Sequence, residues 1–304
     1  MDPLSQIIGL LKPQAIFWRV VEAHGAWTIS FLPTDIVVFG QLIEGACHVE
    51  REDGIGFDLE SGDFMLMAAP PNWTMTALGG GVTVDFGDAI QNPDLLLSSA
   101  HTKQVTRFMA GNFAFSVANR DLISTLMLPI VRVQGNEIAA ARLGALLATF
   151  GEEATADRPG RSLVLDRFLE LILIEALRYR PADIGDGKSS LLAGLADPRI
   201  GRALRIMHAD TRRPWTLAAL AREVGMSRSA FASRFLQLVG IPPIEYLANW
   251  RMTLAKSALA TAEVPMSEIA EMAGFQSVSA FSTAFKRETG VSPTLYVRSL
   301  QAAT

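Results

Sequence analysis

The sequence predicts an α+β protein: an N-terminal antiparallel β-barrel, a helical linker, and an all-α C-terminal domain with two helix-turn-helix units. Three observations predict it. Short apolar runs separated by turn residues fill the chain from Ala15 to about Val117, apolar residues recur at helical spacing after Asn119, and GMSRSAFASRF at 225–235 returns as GFQSVSAFSTAF at 274–285. The boundaries that follow are 1–118 for the barrel, 119–190 for the linker and 191–304 for the tail.

Taken in order, Asp2-Pro3 opens a short helix, with Asp2 as its cap and Pro3 at the first helical position. The runs AIFWRVV, WTISFL, IVVFGQLI, ACHVE, IGFDLE, FMLMAA, VTVDF, VTRFM and FAFSV then read as strands of a sandwich or small barrel. Asp53-Gly54 is the strongest hairpin signal, because a type I′ turn needs positive φ at both central residues. Residues 137–154 and 162–180 read as helices. The second is apolar on more than one face at Leu165, Phe168, Leu169, Ile172, Leu173 and Leu177, which favours pairing with a second subunit over packing on the β domain alone. The polar stretch PADIGDGKSS at 181–190 marks a domain boundary.

Totals narrow the class further. At 49% apolar over 304 residues the chain can bury real cores. The single cysteine, Cys47, excludes an internal disulfide and a CxxC metal pair, and a buried apolar role fits it better than a nucleophile's. MDPLSQIIGLLKP shows neither a basic leader region nor a cleavage site, so a cytoplasmic protein is expected. No uncharged apolar run is long enough for a membrane span, since Glu170 and Glu175 interrupt FLELILIEALRYR. Net charge is −4, but unevenly divided: residues 1–194 hold 14 Lys+Arg against 23 Asp+Glu, and residues 195–304 hold 13 against 8, giving −9 and +5. A basic tail on an acidic body is what a chain needs when only one domain meets DNA.

In the repeat, Leu220-Ala221 aligns with Ile269-Ala270, Gly225 with Gly274, Phe231 with Phe281, Phe235 with Phe285, Gly240 with Gly290, Pro243 with Pro293 and Tyr246 with Tyr296. Each copy ends an apolar helix at a glycine suited to the left-handed conformation, then caps a second helix with Ser227 or Ser277. That is the grammar of a helix-turn-helix, whose second helix can enter a major groove. At roughly 100° per residue the phenylalanines face inward. Ser229, Ala232, Ser233 and Leu236 then face outward in the first copy, as do Ser279, Ser282, Thr283 and Lys286 in the second. Between the copies, Pro243 to about Ala260 reads as one unbroken helix of about 27 Å. It is long enough to hold two reading helices near the roughly 34 Å that separates major grooves on one side of a duplex. Trp215 and Trp250 read as packing residues.

Residues 195–299 closely resemble the DNA-binding domain of AraC/XylS-family transcriptional regulators. The carriers are LADPRIGRALRIMH, WTLAALAREVGMSRSAFASRF, GIPPIEYLANWRMTLAKSAL and IAEMAGFQSVSAFSTAFKRETGVSPTLYVRS. The resemblance implies double-stranded DNA as partner, and base reading by Ser229, Ala232 and Ser233, then Val278, Ser279, Ser282 and Thr283. None of these is an Arg, Asn or Gln that bonds a base twice, so hydroxyl contacts, bridging water or DNA shape must carry specificity. Arg228, Arg234, Lys256, Lys286, Arg287 and Arg298 can reach phosphates, while Arg251 could pair with an acid inside the domain. An activator that contacts RNA polymerase is also implied.

The N-terminal part resembles the cupin-type sensor domain attached to one branch of that family, through Trp27, IVVFGQLIEGACHVE, the Asp-Gly hairpin and LESGDFMLMAAPP, where Gly62-Asp63 turns into a buried strand. Such a barrel can hold one ligand. A small hydrophobic or aromatic effector touching Trp27, Phe39, His48 and Trp73 is expected, with a homodimer as the working form and no cofactor. A metal-dependent cupin enzyme remains an alternative reading. The four histidines form no ligand cluster, and Gly40 stands where family members commonly place one, so neither metal nor catalysis is expected. A regulator governed by a protein partner without a ligand, and an architectural DNA protein, are the other readings left open.

Overall fold

The computed structural model describes residues 2–77, 79–92, 104–115, 130–179, 189–261 and 264–302. They gather into two compact units, one of residues 12–115 and 130–179, the other of residues 2–11 and 189–302.

The first unit holds ten strands: β1 (Gln14–His24), β2 (Trp27–Phe31), β3 (Val37–Glu44), β4 (Ala46–Arg51), β5 (Gly56–Glu60), β6 (Phe64–Ala68), β7 (Trp73–Ala77), β8 (Val82–Asp85), β9 (Val105–Ala114) and β10 (Ile130–Val133). They form two five-stranded sheets, ordered β1-β9-β3-β6-β10 and β5-β4-β7-β2-β8, with one parallel pair, β2 and β8. The expected antiparallel β unit is thus built as two facing sheets, with no pairing among the described residues that closes them into a ring. Its interior is a shared apolar cluster from both sheets, including Ile29, Leu42, Val49, Met67 and Met75. Period-two alternation sorts β4: Cys47, Val49 and Arg51 are buried, while Ala46, His48 and Glu50 are exposed.

Three local expectations change. The Asp53-Gly54 turn is not type I′, because only Gly54 takes a positive φ (+81°); the Arg51 guanidinium holds the Asp53 carboxylate at 2.6 and 3.1 Å, and the loop is wider. VTRFM and FAFSV merge largely into the single strand β9. Residues 130–133, expected within the helical linker, form β10 beside β6. Asp63 fixes that join: one carboxylate oxygen accepts the Gly135 amide at 2.7 Å and the other the Arg132 guanidinium at 3.0 Å. Residues 116–129 and 180–188, which include most of the expected boundary, lie outside the described residues.

α2 (Phe86–Gln91) follows β8 and is capped by Asp85, which accepts the Gly87 amide. α3 (Ile138–Thr155) and α4 (Arg161–Arg178) form an antiparallel hairpin laid on the first sheet, touching β1, β6 and β10. Trp18 of β1 sits against Phe150 and Gly151, with no room for a side chain on the glycine. Leu169, Ile172, Leu173, Ala176 and Leu177 of α4 are buried, yet Leu163, Val164 and Leu171 are exposed. The helix thus packs on the β layer and keeps apolar surface besides. Among the described residues no helix is long and apolar enough to cross a membrane.

The second unit is helical: α1 (Pro3–Leu11), α5 (Leu191–Ala196), α6 (Pro198–Ala209), α7 (Leu217–Glu223), α8 (Arg228–Val239), α9 (Pro243–Thr261), α10 (Met266–Met272), α11 (Val278–Thr289) and α12 (Pro293–Ala302). Asp2 caps α1 through the Ser5 amide, as the Asp-Pro signal predicts. α1 packs on α6, burying Ile7, Ile8 and Leu11.

Candidate nucleic-acid interface

Each second helix of the duplicated unit is started and stopped by the same chemistry. Ser227 accepts the Ala230 amide at 3.3 Å and Ser277 the Ala280 amide at 3.2 Å. Ahead of them, Gly225 (φ +65°) and Gly274 (φ +79°) take the left-handed turn. Met226 and Phe275 then close matching bonds to Ala221 and Ala270, each at 2.9 Å. At the far ends Gly240 and Gly290, both left-handed, release the chain into α9 and α12 at Pro243 and Pro293. Phe231, Phe235, Phe281 and Phe285 are fully buried. Their ring pairs match, with centroids 5.7 and 5.5 Å apart, and each second ring meets its tyrosine edge-on, Tyr246 at 5.8 Å and Tyr296 at 5.3 Å.

Burying those rings leaves the opposite faces to solvent. Ser229, Ser233, Val278, Ser279 and Thr283 are exposed, and Ala232 and Ser282 half-buried. The Thr283 hydroxyl donates to the Ser279 carbonyl at 3.0 Å, which leaves its lone pairs outward. Gln276, exposed in the turn just before the Ser277 cap, falls outside the residues named from the sequence. Its amide is of the type that can bond adenine twice, and its place beside the cap is a readable signal. Arg228, Lys286, Arg287 and Arg298 are exposed, and Lys256 is half-buried on α9.

Arg234 is different. Its guanidinium donates to the buried carboxylate of Asp197 at 2.8 and 2.5 Å, while the other Asp197 oxygen caps α6 through the amides of Arg199 and Ile200. Burial raises the Asp197 pKa, but these donors outweigh it and hold the carboxyl below its ordinary value. The expected phosphate ligand is therefore engaged inside the domain, locking α8 to α6. Among the described residues Arg251 forms no ion pair with an acid; it donates to the carbonyls of Thr211 and Arg213, both at 2.7 Å, joining the middle of α9 to the segment between α6 and α7. Arg212, in that same segment, meets Glu271 of α10 at 3.4 Å. Trp215 and Trp250 are buried packing residues, Trp215 under the Arg213 guanidinium and Trp250 stacked on His208.

His208 is buried between three partners. Gln6 Oε1 can only accept, so His208 Nδ1 donates to it at 2.9 Å, and His208 Nε2 accepts the Tyr246 hydroxyl at 2.6 Å. Burial lowers the imidazole pKa to about 4 and raises that of Tyr246.

The β unit encloses a separate feature, a cavity of about 40 Å³ between its sheets, lined by Phe17, Phe31, Trp73, Phe86, Phe108 and Asn112 among others. Of the four residues expected to meet an effector, Trp73 lines it with its ring. Phe39 borders it from the strand, but its ring lies on the other face of the sheet against Phe113. Trp27 belongs to the inter-sheet core beside Phe108, away from the cavity wall. His48 points outward, half-exposed and 2.7 Å from Asp58, because it shares the solvent face of β4. Phe17, Phe31 and Phe86 were hidden from the sequence reading because nothing local says which strand edges face one another. Burial pushes the Cys47 thiol up to about 12, which removes it as a nucleophile. Among the described residues no three His, Cys, Asp or Glu side chains gather as a metal site would require.

A family model described as a cupin matches residues 2–180, and one described as a helix-turn-helix domain matches residues 220–299. An AraC-like transcription regulator of Streptomyces lividans is 32% identical over 295 residues, 96% of this chain and 97% of its own. The HTH-type transcriptional regulator AlkR of Acinetobacter baylyi is 28% identical over 303 residues, 97% of this chain and 99% of its own. Among solved structures, ToxT of Vibrio cholerae O395 is 17% identical over 93% of this chain and 98% of its own, with a TM-score of 0.36.

Proposed function

The chain belongs to the AraC-like transcription regulators with an N-terminal cupin domain, and from that premise we propose that it works as a homodimer whose grip on promoter DNA is switched by a small apolar effector. The observation that carries the DNA half of this reading is the pair of matched reading helices, α8 and α11, with solvent-facing Ser229, Ser233, Ser279 and Thr283, joined by one unbroken helix of nineteen residues. At 1.5 Å per residue that helix is about 28 Å long, close to the groove repeat. Ser229, Ala232, Ser233, Val278, Ser279, Ser282 and Thr283 read bases, joined by Gln276; Arg228, Lys256, Lys286, Arg287 and Arg298 hold phosphates, and Arg234 orients α8.

The β unit senses rather than catalyses: its cavity is apolar, and no acid, histidine or cysteine lines it among the described residues. A limit near 190 separates sensing and pairing from DNA binding, and the chain acts in the cytoplasm, where it recruits RNA polymerase. Pairing uses the stripe on α4 formed by exposed Val164 and Leu171 with half-buried Phe168 between them at helical spacing. A second reading, control by a protein partner alone, draws on the same exposed stripe. Footprinting the purified full-length chain on its own promoter region tests the proposal. Two protected windows one duplex turn apart per subunit are expected, and equal protection of unrelated sequences at fixed salt would reduce the protein to an architectural role.

A further inference from the structure

Resting on the reading of the cavity as an effector site and deepening it, we propose that the ligand is a small neutral ring compound bearing one hydroxyl, and that Asn112 accepts a hydrogen bond from that hydroxyl. On β9, Phe108 and Ala110 face the inter-sheet core, and alternation puts Asn112 on the same face. Its Oδ1 is buried and receives no hydrogen bond. A buried amide oxygen left unpaired is costly, so a donor brought by a ligand gains more there than at a surface. The other amide on the lining, Gln41, is spent elsewhere: its Nε2 donates to the Gly62 carbonyl at 3.2 Å, and its side chain lies against Gly144 of α3.

Charge is excluded by the wall itself. Among the described residues no ionisable side chain lines the cavity, so a carboxylate or ammonium ligand would lose its hydration and meet no counter-charge. Shape favours a flat ring. Phe17 meets Phe86 edge-on at 5.7 Å, Phe86 meets Phe31 at 4.7 Å, and Phe31 stacks on Trp73 at 3.7 Å. This aromatic row runs from β1, the edge of one sheet, through α2 to the second sheet, and Phe17, Phe31 and Phe86 are only half-buried. Gly40 keeps the opposite wall low, since a Cβ there would stand 3.0 Å from the Met109 carbonyl. The space left, about 40 Å³, suits a few waters, so a ring enters by turning one of the half-buried phenylalanines aside. Such an entry would move α2 and the sheet edges, a lever by which occupancy alters the unit.

Calorimetric titration of the full-length protein with phenol, toluene and benzoate tests this. Phenol is expected to bind about 10-fold more tightly than toluene, as one buried hydrogen bond allows, with benzoate at least as far behind. Asn112→Leu should bring phenol to the level of toluene and leave toluene unchanged, which also reports that the cavity is intact; Asn112→Ala serves if the leucine variant does not fold. Equal binding of phenol and toluene by the wild type overturns the role of Asn112 but leaves the effector site standing. Benzoate binding as well as phenol overturns the neutral ligand. Failure of all three at millimolar concentration overturns the effector site itself.

Discussion

In the first helix-turn-helix the left-handed glycine, Gly225, faces open space, whereas in the second a Cβ on Gly274 would stand 2.8 Å from the Arg251 guanidinium. Other differences run the opposite way. Tyr246 is buried on His208, while its counterpart Tyr296 is only half-buried on Phe285. Arg234 is tied to Asp197, and the aligned residue in the second copy is Ala284; Lys286 and Arg287 of the second copy align with the uncharged Leu236 and Gln237. The caps, glycines and phenylalanine pairs are the same in both copies because they form the turn and the helix. What varies is the anchor: the first copy is held by α5 and α6, the second by α9 and by the segment at 211–213. The first spends a cation on its own framework, so the second is left with more to offer phosphate.

Acid should separate the copies most. The folded pKa of His208, about 4, lies below the ordinary 6.5, so the unfolded chain takes up the proton first. Stability from this site is complete above pH 6.5 and is lost as pH falls towards 4, on the order of 3 kcal/mol across that window, although the Asp2 carboxylate pulls weakly the other way. Hydrogen exchange should show α8 opening before α11 as pH falls, and His208→Gln should flatten denaturation midpoints across the window.

Next come the two turns. Alanine at Gly225 meets only the strain of a positive φ, about 1 kcal/mol; alanine at Gly274 adds the displacement of Arg251 from two carbonyls, for about 2–3 kcal/mol in all. Thermal unfolding of the two variants would measure the difference, and equal losses would mean that Arg251 does not clamp the second turn. Smaller again, Lys286→Ala should weaken all DNA sites together and lower the salt slope by about one, whereas Arg234→Ala should cost about 1 kcal/mol of stability and leave the slope alone. The smallest effect belongs to Ser233→Ala, which should re-rank sites by a few-fold in a competition assay while overall affinity holds.

From residue 189 onward the helical unit was legible because its signals are local, but α1, expected within the 1–118 barrel, packs with the helical unit instead, a long-range contact no local pattern announces. Ser227 and Ser277 each cap the helix that starts at the next residue by accepting an amide three positions on, and the glycines end those helices at fixed offsets. In the β unit the strands were legible but their partners were not. Alternation along ACHVE places His48 and Cys47 on opposite faces without saying which face is inside, and the choice of His48 for the cavity fell on the wrong one. The cavity wall joins Phe17 to Phe86, residues 69 positions apart, through sheet order that no local pattern encodes. Arg234 misled for a related reason: its carboxylate partner, Asp197, lies 37 positions upstream.

A last consequence follows from the place of α1. Since Gln6, Ile7, Ile8 and Leu11 belong with the helical unit, a tail fragment starting at residue 189 would be missing one of its own walls. Such a fragment would show a bare greasy strip where those residues lay and an imidazole N–H with nothing to bond, and it should clump at concentrations the whole chain tolerates. Grafting the opening eleven residues onto it by a flexible tether would restore its solubility.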